Sequence, residues 1–272
     1  MLGKLDLMRR DPRRYVPIAV RFAVTFPLRC LSRLMVRAPF FLQEQMDLQR
    51  VSTWHDRRFC ETTGGFRLPK DPVDRRICTP QPWDGVRRDM LVLLMRSIVE
   101  RGIPGDFAEL GVYRGDSARL IHHYAPDRML HLFDTFEGFA AQDVDADAAV
   151  TGLRDVAGHF SDTSLARVLR RVRPQSDCVR LHPGHFPGTF TDALASRKFA
   201  FVHVDVDLYD PVRAGLEAFY PHLSPGGFIV VHDYNAWPGP RRAVDAFADA
   251  QGLVPVPMPD KNGSVLLIKP EP

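Results

Sequence analysis

The chain has 272 residues, 45% hydrophobic and 25% charged, which is ordinary for a globular protein and enough for one α/β domain with an extension or two small domains. Its four cysteines (Cys30, Cys60, Cys78, Cys178) lie far apart with no C-x-x-C, which argues against a zinc module or a disulfide framework and for a reducing, cytoplasmic compartment. The net charge of +3 is uneven: residues 1–50 hold ten Lys/Arg against four Asp/Glu, leaving 26 against 29 in the remainder.

Residues 1–85 read as a basic helical and irregular extension. The apolar stretches Tyr15–Val20, Phe22–Phe26 and Leu31–Phe41 are broken by Arg21, Arg29, Arg33 and Arg37 and by Pro17, Pro27 and Pro39. A membrane-spanning helix needs roughly 18 or more consecutive apolar residues, so none is expected here. A secretory signal is not expected either, because no clean apolar core leads to a small-residue cleavage site. Two readings stay open. The segment packs as short helices on the rest of the chain or on a second copy in a homo-oligomer, or residues 1–45 rest peripherally on an anionic membrane surface. Nucleic acid is not an expected partner, since the basic residues are not interleaved with a binding motif. From about 50 to 85 the sequence is rich in turn and charged residues, as in a lid or an arm.

Residues 86–272 alternate between strand and helix. A helix is expected over Met90–Val99, with Leu91, Leu94, Met95 and Ile98 on one stripe. Strands follow at Asp106–Leu110, Met129–Phe133, Cys178–Leu181, Phe199–Val206 and Phe228–Val231, the last preceded by a turn at Ser224–Gly227. Helices are expected at Ser117–Tyr124, Ser164–Arg171, Val212–Leu223 and Arg241–Ala250. Leu253–Val256 and Ser264–Ile268, joined by the turn Asp260–Gly263, form a closing antiparallel pair. Such repeated units imply a doubly wound, mostly parallel α/β sheet of Rossmann-like type.

Ligands of such sheets bind at the carboxyl ends of the strands. Three of those ends carry polar groups: Glu109 with Gly111 and Gly115; Asp205 and Asp207; His232 and Asp233. The first loop reads E-x-G-x-x-x-G, not the G-x-G-x-x-G of a dinucleotide site. Glu109 suits a cationic ligand, and Asp134, 25 residues on at the next strand end, suits ribose hydroxyls. S-adenosylmethionine has both features. Asp205 and Asp207 share one face at i, i+2, and buried charges need partners or a metal. Oxygen ligands suit Mg²⁺. His232, read from the residues alone, is a ligand, a proton acceptor or an orienting group.

Five strings in this order resemble the macrocin O-methyltransferase family: Gly105-Asp-Phe-Ala-Glu-Leu-Gly-Val-Tyr-Arg-Gly115, Phe133-Asp-Thr-Phe-Glu-Gly138, Gly184-His-Phe186, Asp205-Val-Asp-Leu-Tyr209 and Gly226-Gly-Phe-Ile-Val-Val-His-Asp-Tyr234. That family consists of class I methyltransferases acting on sugar hydroxyls in macrolide and aminocoumarin biosynthesis. The resemblance implies a seven-stranded sheet, an S-adenosylmethionine donor and a hydroxylated small-molecule acceptor, a sugar or glycoside. It implies Mg²⁺ held by the counterparts of Asp205, His232 and Asp233, with that of Asp207 as general base. The family usually carries two aspartates where this chain has His232-Asp233, and a nitrogen ligand brings Mn²⁺ or Co²⁺ into consideration. The expected cofactor-binding positions are Glu109, Gly111, Arg114, Gly115, Ser117, Asp134, Glu137, Gly184, His185 and Asp205, with Phe136 or Phe186 stacking on adenine. Three other readings are a metal-dependent catechol-type O-methyltransferase, a nicotinamide-dependent oxidoreductase and a non-catalytic S-adenosylmethionine-binding partner protein.

Overall fold

A computed structural model of the chain describes residues 85–152, 159–174 and 177–271. The expectations for the extension, including the lid or arm and the membrane contact, fall on residues outside these. Among the described residues no helix is long and apolar enough to cross a membrane.

The elements run α1 (Gly85–Glu100), β1 (Asp106–Leu110), α2 (Asp116–Tyr124), β2 (Leu130–Asp134), α3 (Ala141–Thr151), α4 (Leu165–Val172), β3 (Val179–Pro183), α5 (Asp192–Ala195), β4 (Phe199–Val204), α6 (Tyr209–Phe219), a 3₁₀ turn (Tyr220–His222), β5 (Leu223–Val231), α7 (Pro238–Gln251), β6 (Val256–Pro257) and β7 (Val265–Ile268). The seven strands lie in the order β3-β2-β1-β4-β5-β7-β6, with β7 antiparallel to both its neighbours and every other pair parallel. The strand order turns back at β1, which pairs β2 on one side and β4 on the other. The carboxyl ends of β1 and β4 therefore flank the crevice where such sheets bind ligands.

Both faces of the sheet are covered, which is why β4, Phe-Ala-Phe-Val-His-Val, is buried at every position. On one face α1 (Leu91, Met95, Ile98), α2 (Leu120, Ile121) and α4 (Val168, Val172) pack on Phe107, Leu132 and Phe201. On the other, α6 (Val212, Leu216, Phe219) and α7 (Ala243, Val244) pack on Leu110, Val202, Val204 and Ile229. Helix α4 begins where Ser164 caps it, its side chain accepting from Arg167 N at 3.3 Å, and ends with Arg170 and Arg171 beside the carbonyl pole of its dipole.

Two local readings are corrected. Ser224–Gly227 is not a turn ahead of a strand but lies inside β5. There Phe199 and Phe201 of β4 pair with Leu223 and Phe228, so the extra residues bulge and Gly226 takes φ +74°. Helix α3 was not expected; its sequence, Ala-Gln-Asp-Val-Asp-Ala-Asp-Ala-Ala-Val-Thr, buries only Val144 and Asp147 and so has no apolar stripe to read.

A histidine pair bridges the parallel edge. His131 Nε2 lies 3.1 Å from Asp106, and its Nδ1 lies 3.0 Å from His182 Nε2. His182 stacks on Phe133 at 4.4 Å and 14°. Burial, reinforced by His131, pushes the His182 pKa down from 6.5 to about 4. A base depressed in the fold favours the native state above its unfolded pKa, so this contribution is present above about pH 6.5 and is lost as pH falls toward 4. His182→Gln is expected to flatten the fall of the urea midpoint across that window. An unchanged slope in the variant counts against the assignment.

Candidate active site at the turning point of the sheet

A cavity of about 290 Å³ opens where the ends of β1, β2, β4 and β5 meet. Asp134, Asp143, Asp205, Asp207 and Asp233 line it against Arg87 and Arg114, so it suits a cationic ligand.

The glycine loop is shaped first by packing. Gly111 takes φ +87°, and a Cβ there would come within 2.0 Å of the Asp205 carbonyl oxygen. The end of β1 can therefore lie against the end of β4 only without a side chain at this position. Gly111→Ala adds a backbone clash to left-handed strain, together costing roughly 2–5 kcal/mol. At ~2–4 °C per kcal/mol for a domain of this size, a melting temperature lowered by about 5 °C or more is expected, and a drop under 2 °C refutes the packing argument. Gly115, φ +81°, is the left-handed N-cap of α2 and does not line the cavity.

Asp134 stands at the cavity, but most of its carboxylate is already used. Oδ2 accepts from Val112 N (2.7 Å) and Tyr113 N (2.8 Å), and Oδ1 accepts from Phe136 N (2.6 Å). It fixes the glycine loop and has about one acceptor position left for a ligand.

Glu109 is not a cavity wall. Its side chain is fully buried and bonded to His203 Nδ1 at 2.8 Å. His203 Nε2 lies 3.1 Å from Arg87, whose guanidinium bonds Asp205 Oδ2 at 2.5 Å. A hydrogen-bonded chain thus runs from Glu109 through His203 and Arg87 to Asp205 at the cavity. Arg114, Ser117, Gly184, His185 and Phe186 line the cavity, whereas Glu137 and Phe136 do not. Phe136 is instead part of the core around α1 and α2. Of the two candidates for adenine, Phe186 is the one at the wall, packed edge-on to Phe133 at 5.6 Å. His185 pairs with Asp143 at 2.9 Å, and Phe160 lies between Tyr113 (5.0 Å) and Phe139 (5.2 Å) at the cavity.

At the other end of the cavity, His232 Nδ1 lies 2.8 Å from Asp205 Oδ1 and 3.1 Å from Asp233 Oδ1. Two cis ligands of an octahedral ion with ~2.1 Å bonds stand ~3 Å apart, so this donor spacing fits a small divalent cation. Among the described residues this is the one His/Cys/Asp/Glu group with metal-like spacing, its ligand atoms all within 4.8 Å of one another. Burial opposes charge on Asp205, but Arg87 and then His232 hold its carboxyl well below the usual carboxylate range. Burial also opposes charge on His232, yet Asp205 raises its pKa to about 9.

Asp207 is the outlier. It is buried, takes the left-handed φ of +59°, and its Oδ1 has no hydrogen-bond partner. Burial, then the charge of Asp205 and contact with Asp233, push its pKa well above the carboxylate range. Strained non-glycine backbone and orphaned buried acceptors cluster at functional sites; Asp233 shares the first feature (φ +57°) and Glu109 Oε2 the second, and Asp207 combines both.

Sequence reading missed Arg87, His203, Phe139, Phe160, Asp143, Asp260 and Asn262. Arg87 had a legible signal: it continues the Leu91–Met95–Ile98 stripe at i−4, a charge where a core residue belongs.

The strand order and the site at the ends of β1 and β4 define a class I methyltransferase fold. Residues 85–264 match the Macrocin-O-methyltransferase (TylF) family, and the chain belongs to it. It is 34% identical over 176 residues to "8-demethyl-8-(2,3-dimethoxy-alpha-L-rhamnosyl)-tetracenomycin-C 4'-O-methyltransferase" of Streptomyces olivaceus, covering 60% of this chain and 63% of the relative. It is 35% identical over 170 residues to "Mycinamicin III 3''-O-methyltransferase" of Micromonospora griseorubida, covering 58% of this chain and 66% of that one. The matches thus span just under two thirds of these relatives' length. Among solved structures, the O-methyltransferase NovP superposes with a TM-score of 0.58 at 25% identity, covering 68% of this chain and 80% of that chain.

Proposed function

We propose that this chain is an S-adenosylmethionine-dependent O-methyltransferase that methylates a hydroxyl of a sugar or glycosylated natural product with the help of a divalent ion. The observation that carries the reading is Asp207 Oδ1, an orphaned buried acceptor beside the donor set of Asp205, His232 and Asp233. Family membership and the glycoside O-methyltransferases among its relatives support the substrate class. Residues 86–272 are the catalytic domain in this reading, and 1–85 an extension to it.

S-adenosylmethionine supplies an electrophilic methyl group, and a divalent ion held by Asp205, His232 and Asp233 supplies Lewis-acid polarisation of the acceptor hydroxyl. The protein does the rest. Asp207 Oδ1, unpartnered at the cavity wall, receives the hydroxyl proton. Asp134 and Gly111 hold the β1 loop against the end of β4, and this fixed wall would orient the donor toward the acceptor hydroxyl. The carboxylates lining the cavity favour a sulfonium over a neutral or anionic ligand.

The test is methyl transfer from S-adenosylmethionine to a panel of rhamnosides and other glycosides, read by mass spectrometry alongside thermal shift. Ligand at ~100 Kd stabilises by ~2.7 kcal/mol, so S-adenosylhomocysteine is expected to raise the melting temperature by roughly 5–10 °C. NAD⁺ is expected to leave it unchanged. A shift with NAD⁺ and none with S-adenosylhomocysteine would falsify the assignment.

A further inference from the structure

His232 differs in kind from an aspartate ligand. A neutral imidazole has two distinct nitrogens, and only one carries a lone pair. A carboxylate has no such choice. A chain that places histidine between Asp205 and Asp233 therefore needs a group that decides which nitrogen keeps its proton.

The two ring nitrogens of His232 face different partners. Nδ1 faces the cavity carboxylates, 2.8 Å from Asp205 and 3.1 Å from Asp233. Nε2 faces Asp260 Oδ2 at 3.9 Å. Asp260 lies on the turn between β6 and β7, and its side chain is fully buried. It is anchored there: Oδ1 accepts from Ser264 N and Oδ2 from Ser264 Oγ, both at 2.6 Å. The turn is also joined to the loop that follows β5. Asn262 Nδ2 donates to Asp233 Oδ1 at 2.5 Å, and Asn235 N lies 3.2 Å from the carbonyls of Asn262 and Gly263. One four-residue turn therefore reaches both His232 and Asp233.

We propose that Asp260 is the positioning residue for His232: when a divalent ion displaces the Nδ1 proton, Asp260 faces the proton left on Nε2 and so favours His232 as an Nδ1 ligand beside Asp205 and Asp233. This rests on the divalent-ion reading above. A carboxylate only accepts, so it stabilises an N–H presented to it; Asp205 and Asp233 do this at Nδ1 until a divalent ion takes that proton's place, and Asp260 then faces the proton that stays on Nε2. At 3.9 Å the contact is Coulombic rather than a hydrogen bond, and in a buried, weakly screened space that still separates the two tautomers. A carboxylate hydrogen-bonded behind a metal-ligating histidine commonly acts this way, and losing it costs ~10–100-fold in metal affinity; a Coulombic contact belongs at the low end of that range.

The experiment is Mn²⁺ binding to the full chain, followed by the EPR signal of free Mn²⁺ with neither cofactor nor acceptor present. Four proteins are compared: wild type, Asp260→Asn, His232→Asp and the double variant. Asp260→Asn is expected to weaken Mn²⁺ binding at least ~10-fold in the wild-type background and less than ~2-fold beside His232→Asp, which has no tautomer to set. Asp260→Glu, which keeps a carboxylate, is expected to stay within a few-fold of wild type. Pulsed EPR of the Mn²⁺ protein is expected to show ¹⁴N coupling from a bound imidazole, lost in Asp260→Asn. Equal weakening in both backgrounds would mean that Asp260 merely braces the turn, and it overturns the proposal. So does unchanged affinity with the coupling retained. Failure of the divalent-ion reading looks different: neither wild type nor His232→Asp binds Mn²⁺ while both still bind S-adenosylhomocysteine, and that result overturns the reading and the proposal together.

Discussion

Asp207→Asn is expected to lower methyl transfer by about 10²–10⁴-fold, the usual cost of losing a positioned proton acceptor. The same substitution is expected to leave the melting temperature equal to or above that of the wild type. The second expectation separates loss of chemistry from loss of fold. Asparagine keeps the shape of the side chain but removes a buried carboxylate held against Asp205 and Asp233, the two groups whose proximity raises its pKa after burial. An amide there relieves like-charge repulsion. S-adenosylhomocysteine should bind the variant about as well as the wild type. Turnover within a few-fold of wild type on a true acceptor removes Asp207 from the role of base. A large fall in both activity and melting temperature would mean that Asp207 is structural.

The sheet and the ends of its strands were legible because burial on both faces writes itself as apolar runs. Phe199–Val204 reads as a central strand from residue types alone, and the acids that follow it mark its carboxyl end. The partners of those acids were not legible. Arg87 is 118 residues from Asp205 and meets it only because α1 packs on the side of the sheet where β4 ends. Glu109 reads as a ligand group, but it is buried off the cavity wall, where His203, in the adjacent strand at the same register, bonds one of its two oxygens. Asp134 reads as a ribose acceptor, but backbone amides of the loop occupy most of it. Sequence placed these acids at strand ends; which of them face the cavity depended on partners brought in by the strand order. Asp260 and Asn262 sit in a turn whose residue types are those of any turn, so nothing local distinguishes them from punctuation.

Chelation is expected to stop methyl transfer and added Mg²⁺ to restore it, with Mn²⁺ or Co²⁺ effective at lower concentration because His232 contributes nitrogen. Lewis-acid polarisation is worth several kcal/mol, so Asp233→Ala and Asp205→Ala should each lower metal-stimulated activity by ~10²-fold or more. Their effects on stability should differ. Asp205 is the carboxylate bonded by the half-buried Arg87 at 2.5 Å, and removing one partner of a buried pair costs roughly 3–5 kcal/mol, the low end applying where the pair lines a cavity. Asp233 is held by Asn262 and His232, and its removal relieves Asp207 of a neighbouring negative charge. Asp205→Ala should therefore melt well below the wild type, by about 6 °C or more, while Asp233→Ala stays within a few degrees of it. Equal loss of activity with unequal loss of stability would place Arg87 as the structural support of one ligand only. Turnover that persists in chelator excludes the divalent ion and leaves Asp207 and His232 as a metal-free acid–base pair, an outcome His232→Asp would check because it removes the imidazole that pair requires.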